Sequence, residues 1–347
     1  MKKESPPHSL THGTAQTPNR TICYVAGHSG GHIIPCLTLA KQEKKGNDIL
    51  FFTSTKQLDH TIVAQSNIPL AHIALAIKQQ QRTWYTLPMI ALSLAWACVK
   101  SFWYLMMHMP DRIITTGSII AIPVCMAGWI LGIPIELFEL NAHPGRTTLF
   151  LSYFADTVRH CFATTRTHFP HNHCVLTKYP IRFTNTQSHQ KLFPTFESHR
   201  ITLFVQGGSQ GSHGINTLMQ TLLTQHSELC KNMQVIHQAG AHEKNVRNMY
   251  ATINVPAYVF RYDRDIAHYY QTADLIICRS GAGALFETLH FKKPCITIPL
   301  IIPSNDHQLK NAYAMANEYP DLFHVALTAS DALKAMQKYQ YQKIVKA

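Results

Sequence analysis

Nine of the 16 glycines in this 347-residue chain fall in three clusters, each where a strand-like run gives way to a helical pattern. The first reads Gly27-His28-Ser29-Gly30-Gly31-His32 and the second Gly207-Gly208-Ser209-Gln210-Gly211-Ser212, with Gly214 just beyond. The third is Cys278-Arg279-Ser280-Gly281-Ala282-Gly283, with Glu287 two turns into the next helix. Missing side chains let backbone N–H groups approach an anion, and the helix that follows adds its positive end. The first loop has neither the Lys-Ser/Thr of a Walker loop nor the G-x-G-x-x-G spacing of a dinucleotide site. One such loop alone also fits a tight structural turn. Two of them, each opening one half of the chain, point to phosphorylated ligands bound in a cleft between two domains. A carboxylate at Glu287 can accept hydrogen bonds from two adjacent hydroxyls, as on a ribose, although an exposed helix Glu has the same signature. Further on, Asp306-His307-Gln308-Leu309-Lys310-Asn311 follows a strand and offers polar groups to a sugar with many hydroxyls.

Two other sets read as structural. Asp263-Arg264-Asp265 is a literal D-x-D, but its context suggests a helix N-terminus with Asp265 capping a segment that starts at Ile266. His171-Asn172-His173-Cys174 lacks a second cluster at zinc spacing and reads as a solvated loop, so no metal is expected.

These residues need a frame to hold them. Strand candidates at Thr21–Ala26, Ile49–Thr53, Arg112–Thr115, Ile133–Phe138, Ile201–Val205, Val235–Gln238, Tyr258–Phe260, Leu275–Cys278 and Cys295–Pro299 alternate with helical segments. That alternation implies α/β architecture, with parallel sheets covered by helices on both faces. A polar stretch at 183–200 divides a first domain, 21–182, from a second, 201–347, and residues 1–20 read as a disordered tail without the apolar core of a signal peptide.

Composition narrows the partners. The chain is 46% apolar and 14% charged, with a formal net charge of +12. Average soluble chains carry about 25% charged residues, so there is apolar surface to hide. The basic residues are dispersed and form no nucleic-acid module, which favours an anionic membrane over nucleic acid. Nine cysteines without a C-x-x-C pair, several inside apolar runs, suit reduced thiols in the cytosol. The longest apolar run, Trp84 to Val99, is interrupted by Lys100 and is shorter than the ~20 residues of a membrane span. As a helix, 87–108 gathers Ser93, Ala97, Lys100, Ser101, Tyr104 and His108 on one stripe amid large apolar residues. It reads either as a helix buried by its own domain or as one presenting Trp96, Phe102 and Trp103, with Lys100, to a bilayer surface.

Taken in order, the motifs G-x-[ST]-G-G-H, F-E-x-N, G-G-S-Q-G, A-D-x-x-x-C-R-S-G-A followed five residues later by Glu, and D-H-Q-x-x-N-A resemble the MurG family over about residues 21–320. The resemblance implies the GT-B fold and inverting transfer of GlcNAc from UDP-GlcNAc to the MurNAc 4-hydroxyl of lipid I, giving lipid II for peptidoglycan, without a metal or cofactor. It also implies a peripheral location on the cytoplasmic side of the plasma membrane, beside an anionic lipid surface, and partners in a cell-wall synthesis complex. Carried over by motif, Ser209 and Gln210 would contact the nucleotide diphosphate, Glu287 the ribose hydroxyls, and Ser280 and Gly281 would also bind the donor. Gln308 and Asn311 would hold the GlcNAc hydroxyls, Asn141 would reach the donor, and Arg182 matches the basic residue of G-N-P-V-R near the cleft. Ser29, Gly30 and Gly31 would form the acceptor pyrophosphate loop, and His32 would act as general base or position the acceptor.

Departures concentrate in the acceptor half. His28 replaces a glycine and adds bulk where backbone should approach phosphate, and Gly117-Ser118-Ile119-Ile120-Ala121-Ile122-Pro123 stands where the family has G-G-Y-V-S-G-P. Lys178-Tyr179-Pro180-Ile181-Arg182 stands for G-N-P-V-R. A UDP-sugar transferase for another lipid, and a UDP-sugar-binding membrane protein without turnover, are the alternatives this leaves.

Overall fold

The computed structural model describes residues 20–44, 46–77, 86–183, 193, 196–208, 211–302 and 306–346. The N-terminal tail, most of the polar stretch after residue 183, and Ser209 and Gln210 lie outside the described residues.

The first half runs β1 (Arg20–Val25), α1 (Gly30–Glu43), β2 (Asn47–Ser54), α2 (Gln57–Ala64), β3 (Ala71–Leu75), α3 (Leu87–His108), β4 (Arg112–Thr115), α4 (Ala121–Ile130), β5 (Ile135–Glu139), α5 (Arg146–Leu151), β6 (Thr157–His160) and β7 (Cys174–Leu176). The second runs β8 (Ile201–Gln206), α6 (His213–Gln225), β9 (Met233–Gln238), α7 (Glu243–Thr252), β10 (Ala257–Phe260), α8 (Ala267–Thr272), β11 (Leu275–Cys278), α9 (Ala282–His290), β12 (Cys295–Thr297), α10 (His307–Glu318), β13 (Phe323–Val325) and α11 (Ala329–Lys346). The strands form a seven-stranded sheet, β3-β2-β1-β4-β5-β6-β7, and a six-stranded sheet, β10-β9-β8-β11-β12-β13. All strand pairs are parallel. Covered on both faces, the central strands β8 and β9 are buried at every residue, the polar Gln234, His237 and Gln238 of β9 included.

In each sheet the order reverses at one pair, β1/β4 and β8/β11. Ligands of open parallel sheets bind beyond the carboxyl ends at such a switch point. The first glycine loop follows β1, Thr116-Gly117-Ser118 follows β4, the second glycine loop follows β8, and Arg279-Ser280-Gly281 follows β11.

The structure corrects several expectations. Asp265 caps nothing: α8 starts at Ala267 without a side-chain cap, while Asp263 accepts the Asp265 N–H at 3.0 Å and the Tyr269 hydroxyl at 2.7 Å. Helix α3 has 22 residues, about 33 Å at 1.5 Å per residue, and by length and composition could cross a membrane. Its polar stripe faces inward. Ala97, Ser101 and Leu105 are its buried residues, and the Lys100 ammonium donates to the Ala74 carbonyl at 2.9 Å. Lys100 is therefore an internal anchor and not a membrane contact, and Phe102 packs partly against the first core. Trp96 and Trp103 are 67% and 57% exposed, so the reading of α3 as a core helix fails. The final helix, α11, packs on the second half, where Tyr339 donates to the Asp274 carbonyl at 2.7 Å.

Candidate active site

The two halves enclose a cavity of about 1500 Å³ reached by loops from both sheets. On the first-half side, Ser29 precedes α1 in extended conformation and makes no side-chain cap bond, while Gly30 and Gly31 open the helix. First-turn N–H groups have no partner within a helix, so this end faces the cavity as a set of donors. His28 does not intrude. It adopts φ +71°, its ring is outside the cavity lining, and its N–H donates to Asp59 Oδ2 at 3.0 Å.

His32 lines the cavity, with Nδ1 at 2.8 Å from the Thr116 carbonyl oxygen. That oxygen only accepts, so the neutral ring carries its proton on Nδ1 and leaves a lone pair on Nε2. Burial pulls its pKa below the ordinary imidazole value; the Thr116 bond acts against that and nearby His307 adds to it.

Sequence reasoning passed over Glu139 at the carboxyl end of β5, although it stands inside the F-E-x-N motif. It is 3% exposed, lines the cavity, and has no ion-pair partner among the described residues. Burial raises its pKa to about 7, against hydrogen bonds from Asn141 and Thr148 that favour the carboxylate. The available signal was an acid at the end of the strand Ile135-Glu136-Leu137-Phe138-Glu139, placed after two apolar residues where the chain leaves the sheet.

From Glu139 a polar chain crosses between the halves. Asn141 donates to Glu139 Oε1 through its N–H at 2.8 Å and its amide at 3.1 Å, and accepts from the Asn311 amide at 3.1 Å. Asn311 also donates to the Ser280 carbonyl at 3.2 Å and accepts the Ala142 N–H at 2.8 Å. At 1% exposure, with both amide hydrogens committed, Asn311 joins the halves; it also lines the cavity, where only its Oδ1 has hydrogen-bonding capacity left. Gln308 also lines the cavity: its oxygen accepts the Leu300 N–H at 2.9 Å, and its NH₂ has no hydrogen-bond partner among the described residues and can donate to sugar hydroxyls.

On the second-half side, Gly208 and Gly211 take φ of +80° and +78°. A Cβ on Gly207 would sit 2.7 Å from the Gln238 carbonyl oxygen and from the Ser212 N, so this turn closes only with glycine. Ser212 caps α6 by accepting the Ile215 N–H at 3.4 Å, and its hydroxyl also accepts from Arg279 Nε at 3.0 Å. Arg279, also missed in the sequence, lines the cavity without a carboxylate partner among the described residues; burial lowers its pKa. Gly281 caps α9, with open space where a Cβ would stand. Ser280 does not contact the cavity: it is fully buried, and its hydroxyl pairs with Thr297 at 2.7 Å.

Glu287 and Arg182 both line the cavity, and they pair with each other. Arg182 Nε and Nη2 donate to the two Glu287 oxygens at 2.7 and 3.2 Å, and Tyr270 donates to Oε2 at 3.2 Å. Burial alone would lower the Arg182 pKa, but Glu287 reverses the sign and raises it. An ionised carboxylate offers about four lone-pair positions, so three donors leave room for one ribose hydroxyl rather than two.

Known proteins share this sequence and fold. Residues 22–159 match the glycosyltransferase family 28 N-terminal domain and residues 202–332 the glycosyltransferase family 28 C-terminal domain. Over 301 residues the chain is 30% identical to the UDP-N-acetylglucosamine–N-acetylmuramyl-(pentapeptide) pyrophosphoryl-undecaprenol N-acetylglucosamine transferase of Myxococcus xanthus, covering 85% of this chain and 78% of that protein. It is 29% identical to the same-named protein of an Anaeromyxobacter strain, covering 83% and 76% of the two chains. The fold is similar to the crystal structure of Acinetobacter baumannii MurG, with TM-score 0.71 and 24% identity over 92% of this chain and 90% of that one.

Proposed function

The chain belongs to the family of UDP-N-acetylglucosamine–N-acetylmuramyl-(pentapeptide) pyrophosphoryl-undecaprenol N-acetylglucosamine transferases, and from that premise we infer how its own residues transfer GlcNAc from UDP-GlcNAc to lipid I. The observation that carries the reading is one cavity lined by His32 and Glu139 from the first half and by Arg279 and Gln308 from the second.

The acceptor pyrophosphate binds the α1 N-terminus at Ser29, Gly30 and Gly31. The MurNAc 4-hydroxyl oxygen attacks C1 of GlcNAc, the bond from C1 to the UDP oxygen breaks, and the configuration inverts. Glu139 takes the hydroxyl proton, because a base is most effective with a pKa near the working pH and Glu139 titrates at about 7. His32 accepts a hydrogen bond through Nε2 and positions the acceptor. Charge developing on UDP meets Arg279 and the N-terminal ends of α6 and α9, which supply electrophilic stabilisation without a metal. Glu287 holds a ribose hydroxyl, and Arg182 holds Glu287.

The exposed face of α3, Leu92, Trp96, Val99 and Trp103, supports docking on a membrane surface. Trp129 and Ile130 at the end of the neighbouring α4 extend the apolar area. The transfer reading is tested by incubating the purified chain with UDP-GlcNAc and short-chain lipid I in EDTA, then determining the anomeric linkage. A β-linked disaccharide is expected; an α-linkage, or dependence on added Mg²⁺ or Mn²⁺, overturns the mechanism.

A further inference from the structure

One buried carboxylate holds the first glycine loop. Asp59 lies on α2 and is fully buried, and its Oδ2 accepts from the His28 N–H at 3.0 Å, the Ser54 hydroxyl at 2.5 Å and the Ser54 N–H at 3.3 Å. A Cβ on Gly27 would stand 3.3 Å from the same oxygen, so the loop backbone lies directly against it. The residue clamped is His28, a non-glycine in the left-handed region at φ +71°, where an L side chain crowds its own carbonyl. The corresponding position of the second loop is Gly208, at φ +80°. Among the described residues, Asp59 Oδ1 and both His28 ring nitrogens are buried without a hydrogen-bond partner, so the hydrogen bonds of this cluster converge on Oδ2.

We propose that Asp59 is a positioning residue: its hydrogen bond to the His28 N–H holds a non-glycine turn in the conformation that aims the Gly30 and Gly31 N–H groups at the acceptor pyrophosphate. It touches no substrate and acts through the loop. This rests on reading Ser29, Gly30 and Gly31 as the acceptor loop. If the clamp offsets the strain of His28, then glycine at that position removes the need for it.

The test measures KM for a short-chain lipid I analogue and for UDP-GlcNAc separately, in the full chain. Asp59→Ala is expected to raise the acceptor KM about tenfold, the scale of a lost hydrogen bond to a charged group, and to leave the donor KM within about twofold. Asp59→Asn keeps an accepting oxygen and should remain within about threefold of the parent. In the His28→Gly background the effect of Asp59→Ala should shrink to about threefold or less, a non-additivity that a general loss of packing does not produce. Additive effects in the double variant, or equal rises in both KM values, overturn the proposal. Should Asp59→Ala not fold, Ser54→Ala loosens the same carboxylate, and a rise in acceptor KM alone is expected; a rise in donor KM contradicts it. Gly31→Ala tests the underlying reading, since its Cβ meets only Ser29 Oγ at 3.7 Å yet obstructs the N–H groups. If Gly31→Ala raises the acceptor KM and Asp59→Ala does not, the clamp fails alone; if Gly31→Ala changes nothing, the acceptor-loop reading fails.

Discussion

In the second half the residue after the first loop glycine is Gly208, at φ +80°, and in the first half it is His28, at φ +71°. After β4 the first half uses both kinds of residue, Gly117 at φ +92° and Ser118 at φ +84°. Glycine enters this region without steric cost, whereas another residue gives up roughly 1 kcal/mol and needs neighbours to offset it. The second half therefore stores its loop shape in glycine backbone packed against β9, and the first half stores it after β1 in side-chain contacts such as that of Asp59. The His28 ring turns away from the cavity, and the loop meets the cavity through Ser29, Gly30 and Gly31.

The largest effect separating the halves should come from the base. Glu139→Gln is expected to lower kcat by about 10²–10⁴ while changing donor KM little. The parent's kcat should rise with pH through about 7, because the base must be ionised, and that limb should vanish in the variant. An unaltered limb lying well below 6.5 would assign the proton to His32 instead. Stability follows the opposite sign. Glu139 binds its proton more tightly folded than unfolded, where glutamate titrates near about 4.3, so its contribution is complete below that pH and is lost as pH rises through about 7. Thermal melts from pH 4 to 8 should show this slope flattened in Glu139→Gln.

Glu287→Ala on the donor side should cost about 1.5–3 kcal/mol in donor kcat/KM through the lost ribose bond. It should also lower Tm by leaving Arg182 unpaired. Unchanged donor kinetics would remove Glu287 from the site. The comparison itself is challenged by paired substitutions. Gly207→Ala forces a methyl against backbone and should destabilise by about 1–3 kcal/mol, whereas His28→Gly should be neutral or stabilising by up to about 1 kcal/mol in denaturant titrations. Equal losses from both would show that the loops are held alike. The smallest effect on folding belongs to Trp96→Ser with Trp103→Ser, within about 0.5 kcal/mol each, since both side chains are exposed. The same double variant should move the protein from anionic vesicles to the supernatant on flotation.

Legibility in the sequence divided along physical lines. The central strands β1, β4, β8 and β11 are apolar because both faces are covered, and their positions could be read directly. Outer strands β3, β6, β7 and β13 were missed: β3 and β6 carry His72 and Arg159 on partly open faces and lack an apolar run, and β7 and β13 have three residues each. Helix α2 buries only Asp59 and Val63, too little for a periodic signal. In the site, motif residues such as His32, Glu287 and Gln308 were legible, and all line the cavity. The clamp was not, since a carboxylate accepting a backbone N–H from 31 residues away leaves no local pattern. Lys100 was misread because helix patterning assumes polar residues face water, whereas α3 turns its polar stripe toward β3.

The most direct test of lipid I as the acceptor is UDP release by the purified full chain from UDP-GlcNAc, with and without a short-chain lipid I analogue. Release that requires the analogue, saturates with it and yields a lipid-linked disaccharide is the predicted result. No release with the analogue, or equal release with diacylglycerol in its place, would contradict it.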